Sequence, residues 1–484
     1  MSQSATEFRT AFHAPPTDAA PILTDEAAPV AVTPSVERVI WVGLLALPVL
    51  TAIPYGTVEI WWQALGECWV FALAALWLLE GWRNRHWRIS EARLLCPLLL
   101  LTALAVLQTL APAPVRSADP FETQRFALRL LALAVYLELL LSYLTDARRL
   151  RQLVYVVLGV AVASAGFGLL RLALQKTNGF FLPALMLDSS FAQFINRNHF
   201  AFLMEMSLGL ALGILVGGGA KRRQPYVYGV LIVLFGVALG LSKSRGGLLA
   251  VLGQTMFLGL TAGAVRARKR RRREAKAEGG RRKDESEKSG LRLLHPSSFT
   301  LHPLIPACGL VLTVGAALLW VGGAPLTQRL AQTTEDISLE STRRGNTRRI
   351  DIWRATLPLI AAQPLTGQGL GGYWMAVSEF HDASGEWVPR QAHNDYLELL
   401  ASGGLLGLAL FVWFARELVQ RARPRLRSPD AFRRAVALGA TTGLAGVALH
   451  SLVDFGLHIT VNAVCCAALV ALAVARGRTE GVRL

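Results

Sequence analysis

The stretch "RQAHNDYLELLASGGLLGLALFVWF", residues 390–414, passes without a break from a knot of polar side chains into an apolar run with no charge after Glu398. From Leu397 onward the run reads as a chain entering a membrane. In lipid it has to be helical, because hydrocarbon satisfies no free backbone N–H or C=O. Apolar runs of roughly 17 to 25 residues, each long enough to cross the hydrocarbon layer, recur from about residue 39 to the C-terminus. The composition agrees: 484 residues, 53% hydrophobic and 17% charged, far from the usual soluble balance. The fold class expected is an all-α integral membrane protein of about 12 transmembrane helices. The spans fall near 39–54, 61–81, 94–111, 127–144, 153–174, 200–218, 226–242, 247–265, 303–322, 401–415, 436–452 and 460–475.

A net charge of +17 is compatible with nucleic acid, so the position of the charges matters more than their sum. With the N-terminus inside, 35 of the 50 Lys and Arg fall in inner segments, 13 in outer ones, and Arg129 and Arg171 within spans. This is the positive-inside asymmetry of a membrane protein, and it points to membrane lipids rather than nucleic acid as the partner. Residues 1–36 are rich in Ala, Pro and Thr, lack the basic start of a cleaved signal, and read as a disordered cytoplasmic tail. Helices 1–8 are expected in 37–265. A basic cytoplasmic loop at 266–302 follows, then helix 9 at 303–322, a large outer loop at 323–400, helices 10–12 at 401–475 and an inner tail at 476–484. The charge run at 265–290 reads as solvated, irregular chain held near anionic lipid. Cys68, Cys96, Cys308, Cys465 and Cys466 lie in or beside apolar spans without metal-ligand spacing, so neither a disulfide framework nor a zinc site is indicated.

Within the large outer loop, "NTRRIDIWRATLPLI" places Ile350, Trp353, Leu357 and Ile360 at helical spacing, an amphipathic helix lying on the membrane or on the bundle. In the "PLTGQGLGGYW" that follows, Gly367, Gly369 and Gly372 formally match G-x-G-x-x-G. No strand precedes them, so they read as a tight turn and not as a dinucleotide site.

Ionisable groups at membrane depth are costly and are functional candidates by default. Four clusters stand out. "FINRNHFAFLMEM" carries Asn196, Arg197, Asn198 and His199. "LSKSRGGLLA" carries Lys243 and Arg245 in a short turn, and the opening stretch carries His393, Asn394 and Asp395. "HSLVDFGLHI" carries His450, Asp454 and His458, which share one face if the helix is continuous. A metal held by those last three is disfavoured, because the first and last would stand about 12 Å apart along such a helix; a hydrogen-bonded network supporting the site is the better reading. The charge-derived orientation puts all four clusters at outer helix ends. Arg197 and Arg245, with Asn196 and Asn198, suit a phosphate or diphosphate, since a guanidinium is always charged and presents a fork of donors. His393, near its unperturbed pKa, is suited to take a proton from an alcohol.

Taken in order, "FINRNHFAFLMEM", "LSKSRGG", "RRIDIWRATLPLIAAQPLTGQGLGGYW", "HNDYLELLASGGLLGL" and "HSLVDFGLHI" resemble the O-antigen ligase and polymerase superfamily of bacterial envelope glycosyltransferases. The resemblance spans roughly residues 191–460. It implies a multi-helix protein of the bacterial inner membrane, both termini cytoplasmic, with a large periplasmic loop before the last helices. The implied activity is transfer of a glycan from an undecaprenyl-diphosphate donor to an acceptor hydroxyl at the periplasmic face, on lipid A core or a related surface acceptor, with no metal, nucleotide or other cofactor. Carried over by motif, His393 is the base, oriented by Asn394 or Asp395. Arg197 and Arg245 bind the donor diphosphate, helped by Asn196 and Asn198, and Arg348 and Arg349 face the same anion. His199, His450, Asp454 and His458 form the supporting network. The same motifs occur in repeat-unit polymerases and protein O-oligosaccharyltransferases, so the acceptor stays open. The alternative from another class is a transporter or flippase of an anionic lipid or solute that uses the same arginines to bind.

Overall fold

A computed structural model describes residues 34–53, 55–85, 87, 89, 91–176, 185–186, 189–284, 349–381 and 388–476. Among them every regular element is helical. The order is α1 (Pro34–Ala52), α2 (Ile60–Asn84), α3 (Ala92–Leu110), α4 (Pro120–Tyr143), α5 (Ala147–Leu174), α6 (Arg197–Val216), α7 (Gln224–Leu241) and α8 (Arg245–Asp284). After these come α9 (Arg349–Ala362), α10 (Tyr373–Val377), α11 (Asp395–Arg425), α12 (Ala431–His450), a 3-10 turn (Gly456–His458) and α13 (Thr460–Val474). Eight helices, α2 to α8 and α11, are long and apolar enough to cross a membrane. The expected spans 39–54, 436–452 and 460–475 coincide with α1, α12 and the shorter α13. Span 303–322 lies outside the described residues, as do 1–33, 285–302, 323–348 and 477–484 with the tails and loops expected there.

At the centre is α6, buried on nearly every side, as a helix apolar all round must be. It crosses α12 through small residues. A Cβ on Gly209 would stand 2.5 Å from the backbone nitrogen of Gly443, and one on Gly443 would stand 2.7 Å from the carbonyl of Met206. Gly213 and Gly439 meet in the same way one turn on. Glycines four apart on both helices let the backbones touch, the membrane counterpart of close core packing. That contact fixes the register between the N-terminus of α6 and the C-terminus of α12, where the polar clusters lie.

α11 is broken at Gly404, whose φ of 61° and ψ of −163° belong to a region open essentially to glycine alone. A break in lipid is tolerated only where the freed groups find partners, and residues 364–370 supply them. Leu405 N donates to Pro364 O at 2.8 Å, and Gln368 N and Gly369 N donate to Ala401 O and Ser402 O at 2.9 Å each. Gln108 of α3 locks the joint: its Nε2 donates to Thr366 O (2.7 Å) and Ser402 O (3.0 Å), and its Oε1 accepts from Leu370 N (3.0 Å). Gly367 and Gly369 do form the tight turn, with positive φ, but the third glycine with positive φ is Gly371. Gly372 is right-handed and starts α10.

Two elements differ from expectation. The helix of α8 runs through the basic stretch to Asp284, where irregular chain was expected from 265; Arg, Lys, Ala and Glu are strong helix formers and carry it on. In α9 the buried face is Ile352, Ala355, Thr356 and Leu359, while Ile350 and Leu357 are exposed. The small Ala355 and Thr356 let this face approach the core; of the stripe chosen by hydrophobicity, Trp353 and Ile360 are half-buried at its edges, and Ile350 and Leu357 point outward.

Candidate functional site

The site is assembled where α6 begins and α12 ends. Asn196 caps α6, its side chain accepting from Asn198 N at 2.8 Å, which leaves the Asn198 amide free to turn across the bundle. At the facing end, the stretch from His450 to His458 is not one helix, and its three ionisable groups do not share a face. α12 stops at His450, Asp454 lies in the following turn, and His458 ends the 3-10 turn. The reason is local. Asp454 Oδ1 accepts from Phe455 N at 3.0 Å, a short-range bond that competes with helix. Gly456 follows where any Cβ would collide with the Phe202 ring.

Asp454 is fully buried and is the hub. Its Oδ2 accepts from Asn198 Nδ2 at 2.6 Å and from Arg349 Nη2 at 3.0 Å. His393 Nδ1 stands 3.4 Å from Oδ1. Burial by itself would raise the Asp454 pKa. The His393 imidazole and the Arg349 and His199 charges outweigh it and hold the carboxyl below the usual carboxylate range. A buried charge persists only when paired and hydrogen-bonded in this way.

His393 is held by its neighbours' backbone. Ala392 O accepts from Trp353 Nε1 of α9 (2.9 Å), and Ala392 N donates to Glu398 Oε2 (2.8 Å). Asp395 N donates to Ser451 O (2.9 Å). Between these clamps His393 adopts φ +50°, a left-handed conformation that costs a side chain about 1–2 kcal/mol. Its ring meets Phe455 edge-on at 4.7 Å; His199 meets the same ring at 4.8 Å and His458 at 5.9 Å. Three imidazoles from three segments thus surround one phenyl ring.

The side chains of the two residues that follow His393 turn elsewhere. Asn394 caps α11, its side-chain oxygen accepting from Tyr396 N and Leu397 N at 3.1 Å each. Asp395 accepts from Ser451 Oγ at 2.7 Å and faces His458 Nε2 at 3.6 Å, which is also 3.4 Å from Glu398. The carboxylate that faces the His393 ring is Asp454, sixty-odd residues on.

His450 takes no part in the hub. Its Nδ1 pairs with Glu205 of α6 at 3.0 Å, both side chains fully buried, and its ring stacks on Phe202 at 4.0 Å. A Cβ on Gly246 would touch the far side of that ring and Val453, so Arg245, the exposed first residue of α8, stands next to a glycine packed on the turn leading to Asp454. Arg197 is half-buried at the start of α6. Arg348 lies outside the described residues. Among the described residues no three His, Cys, Asp or Glu groups converge so as to hold a metal ion. Sequence reasoning missed Glu205, Glu398, Ser451 and Phe455. Glu205 carried the one available signal, a lone carboxylate within an apolar span.

The site presents the His393 imidazole facing a buried carboxylate, with the Arg349 guanidinium paired to the same group. Residues 230–412 match the family model described as O-antigen ligase, in accord with the resemblance carried by the five motifs. No curated protein matches the chain. The matched stretch contains Arg245, Arg349 and His393. Asn198, His199 and Asp454, which complete the site, lie outside it.

Proposed function

We propose, with the O-antigen ligase match over residues 230–412 as premise, that this membrane protein transfers a glycan from an undecaprenyl-diphosphate donor to an acceptor hydroxyl at the periplasmic face of the inner membrane. His393 takes the acceptor's proton as its oxygen bonds to the anomeric carbon, and the lipid diphosphate departs with the electrons of the broken C–O bond. Asp454 facing Nδ1 favours the tautomer protonated there and leaves Nε2 as the basic nitrogen. Arg245, Arg197 and Arg349 act on the diphosphate, where charge grows as the bond breaks. Each charge-assisted hydrogen bond contributes about 1.5–3 kcal/mol. Lipid A core or a related surface glycan is the acceptor class favoured here; a polymerase would differ only in offering a lipid-linked glycan as acceptor.

The observation that carries this reading is the convergence of His393, Arg349 and Asn198, from three distant segments, on one buried carboxylate. The test is a purified reaction with a defined undecaprenyl-diphosphate glycan and candidate acceptors, followed by mass spectrometry. Loss of a general base predicts that His393→Ala slows product formation by about 10²–10⁴-fold at equal amounts of folded protein. Wild-type rates from that variant would remove His393 from the mechanism, and lipid movement without covalent product would favour a transporter.

A further inference from the structure

A second group of polar residues, buried or half-buried, takes no part in the site above. It lines a crevice between α1, α2, α4 and α13. The Arg129 guanidinium of α4 donates to Gln63 Oε1 of α2. Arg125, one turn earlier, reaches the same oxygen at 3.4 Å and is otherwise paired with Glu122 at 2.5 Å. The Arg129 Nε is buried without a hydrogen-bond partner. A permanently charged group is therefore held within the bundle against a neutral amide, with donor capacity to spare.

The residues around the crevice are graded in polarity. Thr51 at the end of α1, Gln63 and Glu67 in the first two turns of α2, and Thr460 at the start of α13 lie toward one end of the bundle. Val70, Leu133 and Val464, one or two turns deeper, form the apolar wall. At the polar end Trp61 and Trp62 stack at 3.9 Å, with Trp61 exposed and its indole donating to Glu59 at 3.0 Å. Exposed tryptophans flanking a span mark the headgroup level, so Gln63, next along α2, and its partner Arg129 lie close beneath that level.

We propose that this crevice is a lipid-phosphate site separate from the His393 centre, in which Arg129, steered by Gln63, takes the phosphate of a membrane lipid whose chain lies along the apolar wall. Arg129 is near enough to His458 for its charge to act on that ring, and none of the crevice residues belongs to the His393 centre. Glu67 feels the charge of both arginines and competes with the phosphate for them. The site does not depend on the transfer reaction; a lipid binds here whether or not His393 accepts a proton.

The experiment places the full-length protein in phosphatidylcholine nanodiscs doped with either phosphatidylglycerol or undecaprenyl phosphate and reads the retained lipid by native mass spectrometry. Wild type retains a phosphate lipid in preference to phosphatidylcholine, Arg129→Gln loses about tenfold of that preference, Glu67→Gln gains, and His393→Ala is unchanged. Arg129-dependent retention of undecaprenyl phosphate alone assigns a polyprenyl site, and Arg129-dependent retention of both assigns a general phosphate-lipid site; lipid held by the donor site of Arg197, Arg245 and Arg349 is common to all variants. Lipid held by the basic inner segments is common to all variants and cancels in the comparison. An unchanged preference in Arg129→Gln overturns the proposal. Should that variant fail to fold, Glu67→Gln decides: a gain supports the site and no change overturns it.

Discussion

Asp454 and His450 are four residues apart, yet the clusters around them follow opposite plans. Asp454 draws partners from α6, α9 and the segment before α11, and two of those, Arg349 and His393, keep 41% and 26% of their side chains exposed. Glu205 and His450 are sealed against each other with no exposure at all, wedged between Phe202 and Gly246 in the first turn of α8. A cluster that meets a substrate has to keep groups at the surface. One that ties helices together gains from being closed, because water and salt then screen nothing. On this division the first cluster is a site and the second a strut, and the glycine crossing of α6 and α12 fixes the position of both.

The strut is the place to look for the largest effect. Glu205→Ala opens a cavity and leaves a buried imidazole unpaired, which should lower unfolding stability by about 3–5 kcal/mol, read by denaturant unfolding in detergent. Transfer per folded molecule should stay near wild type. Collapse of transfer at intact stability would move Glu205 into the reaction and erase the distinction between the clusters.

Asp454→Asn tests the other side. It keeps the shape of the hub but no longer favours the productive tautomer of His393, and transfer should fall by about 10–100-fold, the usual cost of losing an orienting partner. Its effect on stability has a defined pH dependence. The folded pKa of Asp454 lies below the unfolded value, so its contribution is complete above about pH 5, where the unfolded carboxyl, near 3.9, is also ionised. The contribution is lost progressively as pH falls from about 5 through the lower folded value. The stability gap between wild type and Asp454→Asn should therefore stay constant from neutral pH down to about pH 5 and close progressively in stronger acid. A gap that closes near pH 7 would mean that Asp454 is not the ionised hub.

Much of this was legible in the sequence. The helical membrane fold followed from the apolar runs; Asn198, His393 and Asp454 stand in motifs picked out because ions avoid lipid, and Arg349 came with the family resemblance. What was not legible was pairing. Asn394 and Asp395 adjoin His393 in the chain, but the first spends its side-chain oxygen on capping α11 and the second turns to Ser451. The spacing of His450, Asp454 and His458 fits a helix that the Asp454–Phe455 bond and Gly456 do not allow. In α9 hydrophobicity favoured Ile350 and Leu357, whereas close packing selected the smaller Ala355 and Thr356. The glycine pairs of α6 and α12 are plain in the sequence, but a four-residue spacing gains meaning only when its partner helix is known.

The smallest effect tests whether the site's precision is built into the backbone. Ala392 and Asp395 are tied to Trp353, Glu398 and Ser451, and those ties impose the positive φ of His393. Alanine at 393 must bear the left-handed strain, whereas glycine bears almost none. His393→Gly and His393→Ala should be equally inactive, yet the glycine variant should be the more stable by about 1 kcal/mol, once its greater unfolded-state freedom is set against the strain. Equal stabilities would mean that the segment relaxes when the imidazole is removed. In that case the pairing with Asp454 would be bending the backbone into place, and the clamps on either side would not be what positions the base.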